Sequence, residues 1–243
     1  MPGVWGGAAG ALFCGAGALM AYGVRGRSST LFAPSVYRGP AVRRSIALTF
    51  DDGPNAKFTT DLLELLQNQN ILATFFLVGA NVEKYPEITK NIYKSGHLIG
   101  NHSMNHKFMN YFITGHMNRE VLQSQKVFKN ILGKKPTLFR PPWLFRYPGL
   151  FRLIAKNNMQ MVSGKFCYAF EVFQPNAGII AKSAISKSRP GAILIFHDGV
   201  ESKGGNRSQT IESVRILIDE LKKQNYTFVT VDKLLGITKP YTN

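Results

Sequence analysis

The chain has 243 residues, 44% of them hydrophobic and 18% charged, the profile of a globular domain with a full core, which excludes a disordered tail or a mini-protein. Thirty lysines and arginines against fourteen acids give a net charge of +16, which points to anionic surroundings: nucleic acid, anionic lipid or an acidic polymer. Two cysteines, Cys14 and Cys167, exclude a disulfide framework and a cysteine-based zinc module, so any metal must be held by histidines and carboxylates.

Pro2 to Val24 is a run of 23 residues without a charge, long enough to cross a bilayer as a helix of about 20 residues. Seven of the 23 are glycine, and no basic residue precedes the run as in a secretory signal. Residues 1–24 are therefore expected as a membrane anchor, with a cleavable signal or a disordered start as alternatives. Residues 25–44, rich in Arg, Ser, Pro and Gly, are expected as a basic linker to a domain over 45–243. A membrane-anchored, cell-envelope or extracellular location follows, although the arginines after the run favour a cytoplasmic domain by the positive-inside tendency. Without the five arginines before Ser45 the net charge is still +11, so the excess belongs mostly to the folded domain. Its lysines lack the aromatic interleaving of a single-strand nucleic-acid binder, and no nucleic-acid partner is expected.

From Ser45 onward, short apolar runs alternate with longer amphipathic ones. Ile46–Phe50, Ala73–Val78, Leu98–Gly100, Thr137–Phe139, Met159–Val162, Ala192–His197 and Thr227–Thr230 are predicted strands. Thr59–Gln69, Tyr85–Ser95, Asn118–Leu132, Pro148–Asn157, Ile179–Lys187 and Gln209–Gln224 are predicted helices. This alternation implies an α/β fold with a parallel sheet, closed or nearly closed into a β/α barrel, with the chemistry at the C-terminal strand ends.

Four polar clusters fall at such ends. Asp51-Asp52-Gly53-Pro54 offers one carboxylate for a cation and another as a base, although alone it is also a good turn sequence. His102 and His106, four residues apart, are expected on one face of a helical turn, where with one carboxylate they complete a His₂-Asp metal set. Arg140-Pro141-Pro142-Trp143 combines a stiff chain with a guanidinium that can pair a buried carboxylate and a backbone N–H for an oxyanion. His197-Asp198 closes a buried strand and places an imidazole at the rim, where it can give a proton to a leaving group. His97 and His116 lack such partners and are expected to be structural or solvated. Cys167 is expected as a buried free thiol.

At these residues the sequence resembles the polysaccharide deacetylases of the NodB-homology type, carbohydrate esterase family 4, from about Ile46 to Leu235. The likeness is densest in Thr49–Pro54, in Ala73–Gly79 and in Gly96–Ser103. It implies a distorted (β/α)7 barrel that hydrolyses an acetyl group, usually from N-acetylglucosamine units as in chitin-type oligosaccharides or peptidoglycan. The assisting divalent metal would be zinc, with cobalt, manganese or nickel as alternatives. Carried over, Asp51 is the general base, Asp52, His102 and His106 the metal ligands, and Arg140 the residue that orients Asp51. Trp143 supplies an oxyanion N–H and a groove wall, Ile195 stands at the acetyl-methyl pocket, and His197 is the general acid.

The sequence also departs from the family pattern. The Asp-rich fourth motif that positions the acid histidine should fall near Ser163–Glu171, where Glu171 is the candidate substitute. Leu144 replaces a usual glycine, and Ile195 a usual leucine. An O-acetyl esterase, a small-amide hydrolase and a non-catalytic glycan-binding relative remain the alternatives. Besides an acetylated glycan, the charge points to an anionic envelope polymer or membrane surface as partner.

Overall fold

The computed structural model describes residues 15, 17–24, 26, 28, 29, 31, 32, 34–199 and 205–243. Most of the apolar run Pro2–Val24 lies outside the described residues, and Cys14 with it. Residues 17–24 are helical, and among the described residues no helix is long and apolar enough to cross a membrane.

The first strand, β1 (Ser45–Asp51), is buried along almost its whole length, as a strand covered on both faces must be. Helix α1 (Phe58–Asn68) returns the chain to β2 (Thr74–Leu77). Helices α2 (Gly79–Lys84) and α3 (Pro86–Lys94), the latter opened by a proline in its first turn, lead to β3 (Leu98–Asn101). A 3-10 helix, Phe108–Tyr111, precedes the long α4 (His116–Leu132), which Gly133 ends in the left-handed conformation at φ 70°. Then come β4 (Lys135–Pro136), β5 (Leu138–Phe139), α5 (Pro148–Lys156), β6 (Gln160–Met161) and β7 (Lys165–Phe166). The 3-10 helix Glu171–Phe173 leads into α6 (Ala177–Lys187) and β8 (Ile193–His197). After α7 (Ser208–Lys223) the chain ends in β9 (Thr227–Phe228), α8 (Val231–Leu235) and β10 (Tyr241–Thr242).

The main sheet runs β6-β5-β3-β2-β1-β8-β7, every pairing along it parallel, and forms a half-barrel. The expected α/β barrel class holds, with two differences in its strands. Thr227–Phe228 pairs with the start of β1 off this path, while the seventh place on it is taken by Lys165–Phe166. That two-residue strand carries no alternation long enough to be seen in sequence.

Edge strands β6 and β7 end the path, and part of the stretch expected as a linker occupies the seam between them. Val36 bridges Val162 and Arg38 bridges Ala192, with Val36 N–H bonded to Met161 O and Ser163 N–H to Val36 O at 2.9 and 2.8 Å. Deeper in the same stretch, the buried Arg146 guanidinium donates to Ser29 O at 3.0 Å and to Gly26 O. These residues are held by backbone and side-chain bonds, which a reading of composition alone does not reveal.

The core lies between sheet and helices. Phe50, fully buried beside Asp51, packs against Phe75 and Phe196 on the two neighbouring strands, ring centroids 5.3 and 5.9 Å away. The aromatic layer thus supports the strand ends that carry the polar clusters. Phe50→Ala should cost about 3–5 kcal/mol of stability. Urea unfolding of the variant measures this, and a change below about 1 kcal/mol would show that the layer carries no load.

Candidate active site

Asp51, the last residue of β1, stands in register with His197, the last of β8, so two adjacent parallel strands deliver a carboxylate and an imidazole side by side. Asp52 follows in the left-handed region at φ 72°, which turns its side chain away from the strand direction. Its carbonyl accepts from Asn81 Nδ2 at 2.8 Å, and the Gly53–Pro54 peptide that follows is cis.

His102 lies one residue past β3 and is buried. Its Nδ1 is 2.7 Å from the carbonyl oxygen of Arg140; a carbonyl can only accept, so Nδ1 carries a proton and the ring turns its Nε2 toward Asp52. Nε2 of His102 and Nε2 of His106 lie 3.4 and 3.3 Å from Asp52 Oδ1, and the ligand atoms of the three residues all fall within 4.8 Å of one another. Asp52 Oδ1 is buried and receives no hydrogen bond of proper geometry. An unpartnered buried carboxylate oxygen with two imidazole nitrogens converging on it is a donor set that fits a divalent cation. Burial raises the Asp52 carboxyl, but the neighbouring His102, His106 and His197 outweigh it and hold the group below its ordinary value.

The segment between the two histidines is not the helical turn expected from their spacing. It is a bent loop with Ser103 and His106 both left-handed, at φ 69° and 57°. The carboxylate of Glu120, on α4, takes the N–H groups of Met104 and Asn105 at 3.0 and 2.7 Å and the side-chain amide of Asn105 at 3.0 Å. Asn101 Oδ1 takes Ser103 N–H, and Ser103 Oγ takes His106 N–H. Backbone donors that would open a helix are spent on side chains instead.

Arg140, fully buried, donates through Nη1 to Asp51 Oδ1 at 2.6 Å and to Thr49 Oγ1 at 2.7 Å, and its guanidinium lies 4.0 Å from the centroid of the Phe76 ring. Trp143, at φ 60°, packs its ring on His106 with centroids 5.3 Å apart.

Glu171, in the divergent segment, lies beside His197. Its Oε2 is 2.5 Å from His197 Nδ1, while Oε1 accepts from the Thr210 hydroxyl. Burial lowers the His197 pKa, but Glu171, Asp52 and Asp51 more than reverse this and bring it to about 9. Burial raises the Glu171 carboxyl, and His197, Thr210 and Arg207 carry it below its ordinary value.

Asp51, Asp52, His102, His106, Glu171 and His197 share one cavity of about 660 Å³, whose walls include Trp143, Leu144, Phe166, Tyr168, Val172 and Phe173. Ile195 does not line it; the side chain is buried below His197 on the same face of β8. His97 is buried, accepts Ala73 N–H on Nδ1 at 3.1 Å, and is brought by burial down to about 4, so it is a neutral structural histidine. His116 opens α4 away from the cavity. Cys167 is a buried free thiol whose pKa is raised well above normal by burial first and Glu171 second.

Sequence reasoning missed Arg207, which is buried at the cavity and bonded to Gly199 O at 2.7 Å and Val172 O at 3.2 Å. It also gave no role to Asp198, which accepts from Thr59 at 2.5 Å behind the site and is pushed by burial to about 7. Glu120 was missed as well. A lone acid on a helix four residues before a serine gives no signal; only the fold shows which loop it holds.

A family model described as polysaccharide deacetylase matches residues 38–162. A peptidoglycan-N-acetylglucosamine deacetylase of Bacillus cereus is 34% identical over 197 residues, covering 81% of this chain and 90% of the relative. A chitooligosaccharide deacetylase of Bradyrhizobium is 28% identical over 191 residues, covering 75% of this chain and 87% of the relative. Among solved structures, a peptidoglycan N-acetylglucosamine deacetylase in complex with a naphthyl-substituted N-oxidanyl-benzamide superposes with a TM-score of 0.78 at 28% identity, covering 84% of this chain and 94% of that one. With its strand-end clusters, its half-barrel and these likenesses in agreement, the chain belongs to the polysaccharide deacetylase family.

Proposed function

We propose that the protein removes the acetyl group from N-acetylglucosamine units of a glycan, with peptidoglycan as the substrate to test first because the relatives that cover nearly the whole domain carry that name. The observation that carries this reading is the convergence of three devices on one cavity: Asp51 paired with Arg140, the Asp52–His102–His106 set, and the Glu171–His197 pair.

Asp52, His102 and His106 would hold a divalent cation. Zinc suits a mixed imidazole and carboxylate set that leaves positions open, with cobalt, manganese or nickel as alternatives. When bound, the cation supplies Lewis acidity to the acetyl carbonyl and to water. Asp51 accepts the proton of the attacking water; Arg140 engages its Oδ1 and so fixes the direction of the other oxygen. The backbone N–H of Trp143 donates to the oxyanion, and its ring forms a wall of the groove. Protonated His197, whose Nδ1–H is held by Glu171, presents Nε2–H to the departing amine. Ile195 supports the floor under His197. We assign the apolar run 1–24 to anchoring the domain at the cell envelope, outside the membrane-spanning part.

Asp51→Ala should lower acetate release from peptidoglycan or chito-oligosaccharides by at least about a hundredfold, and chelation of the metal should do the same reversibly. Turnover that survives both would overturn the mechanism. Acetate released without a free amine would show O-deacetylation instead.

The Glu171 carboxylate sets a second expectation. His197 acts as an acid, so activity is lost as pH rises through its pKa, and Glu171 keeps that pKa at about 9. Glu171→Gln removes the negative charge, and the pKa falls toward an ordinary value of about 6.5. The alkaline limb of the kcat/KM profile should therefore move to lower pH by about one unit or more, while the acidic limb stays. A limb that does not move would separate Glu171 from the acid.

A further inference from the structure

Two apolar crests rise on either side of the cavity mouth. One is the 3-10 helix Phe108–Tyr111 with the loop after it, where Phe108, Met109, Phe112 and Ile113 face solvent, Met109 at 62% and Phe112 at 60% exposure. Phe108 lies against Trp143, ring centroids 6.0 Å apart, and Trp143 against His106, so this crest joins the metal-set wall. The other is the 3-10 helix Glu171–Phe173 with the residue before it: Phe170 is 60% and Phe173 78% exposed. Glu171 at its base bonds His197, which ties this crest to the acid wall.

Single exposed apolar residues need no explanation, but paired clusters around one opening do. Sugar rings stack on aromatic faces. Met109, Ile113 and Val172 have no such face, yet they stand among the exposed members of both crests.

Charge in the stretch of chain that carries the crests is one-sided. From Asn105 to Gly199 the chain holds only three acids, Glu120, Glu171 and Asp198, and all three are buried. The same stretch exposes Lys107, Arg119, Lys126, Arg152, Lys156 and Lys182. Solvent-accessible acids lie elsewhere, Glu64, Glu83 and Glu87 on α1 to α3 and Glu212, Asp219 and Glu220 on α7.

We propose that the mouth of the active site docks on an anionic lipid bilayer, with both crests in the headgroup–acyl boundary and the basic flank on the headgroups. Exposed aromatic and aliphatic side chains backed by lysine and arginine are what that boundary accepts. A soluble anionic polymer would satisfy the basic flank but would leave the aliphatic members of the crests unexplained. Docking does not depend on the catalytic reading above. If both hold, the acetylated sugar is taken from the membrane-facing side.

The test uses the full chain with Trp5→Phe, which leaves Trp143 as the sole tryptophan, at the rim itself. Vesicles of phosphatidylglycerol and phosphatidylcholine with brominated acyl chains should quench its emission, and phosphatidylcholine vesicles alone should do so weakly. Met109→Ser/Phe112→Ser/Phe170→Ser should shift the quenching midpoint to at least about tenfold more lipid. Turnover of a short soluble oligosaccharide should be unchanged, which shows that the fold is intact and separates a failure of docking from a failure of the catalytic reading. The pair Met109→Ser/Phe170→Ser, outside the Phe108–Phe145 packing, gives the same direction with less risk to folding. Vesicle-bound protein with unquenched Trp143 would overturn the proposal, because the N-terminal run would then be the only contact. So would undiminished quenching in the triple variant, or a soluble polyanion that binds while lipid does not.

Discussion

Almost everything at this site hangs on one buried guanidinium. Arg140 donates to the Asp51 carboxylate and the Thr49 hydroxyl on β1, reaches the carbonyls of Val162 and Ser163 beyond β6 at 3.3 Å, and lies over Phe76 of β2. Its own carbonyl fixes His102, after β3. Burying both ions costs on the order of several kcal/mol each before pairing, and burial accordingly pulls Arg140 below its ordinary pKa while Asp51 pushes back. Such a pair contributes little to net stability. Its effect is geometric: one planar group sets the direction of the carboxylate and, through the backbone, the tautomer of the first histidine.

Three carboxylates crowd the same end of the half-barrel, and their partners decide their states. Asp51 has a guanidinium and Asp52 has two imidazoles, whereas Asp198 has the hydroxyl of Thr59 and takes a proton near neutrality. Across the cavity, Glu171 stabilises the cationic form of His197. Burial thus takes the charge from Asp198 one residue away from the imidazole whose cation Glu171 favours.

Much of this was legible in the sequence, for a physical reason. Asp51, Asp52, His102, Arg140 and His197 each sit at or just after a buried apolar strand, and strand ends in a parallel α/β fold converge on one face whatever the exact register. What local pattern cannot carry is a bond between distant segments. Glu171 and His197 are 26 residues apart with a helix between them, so the family resemblance named the carboxylate as a candidate and spacing could not place it. The helical turn expected at His102–His106 failed for the same reason, because Glu120 reaches in from α4 and takes its donors. Val36 and Arg38 look like linker until the open seam of the sheet supplies them with partners.

The rim of the cavity stores conformational cost. Asp52, Ser103, His106, Trp143 and Leu144 all have positive φ without being glycine, a placement that costs roughly 1 kcal/mol or more per residue and persists only where surrounding bonds overdetermine it. Those bonds are present at each wall: Asn81 on Asp52, Asn101 and Ser103 along the histidine loop, and Pro141 O and Pro142 O receiving the N–H groups of Leu144 and Phe145. Phe108 packs on Trp143 and so on this rim, and the exposed acids lie before and after the stretch of chain that carries both crests.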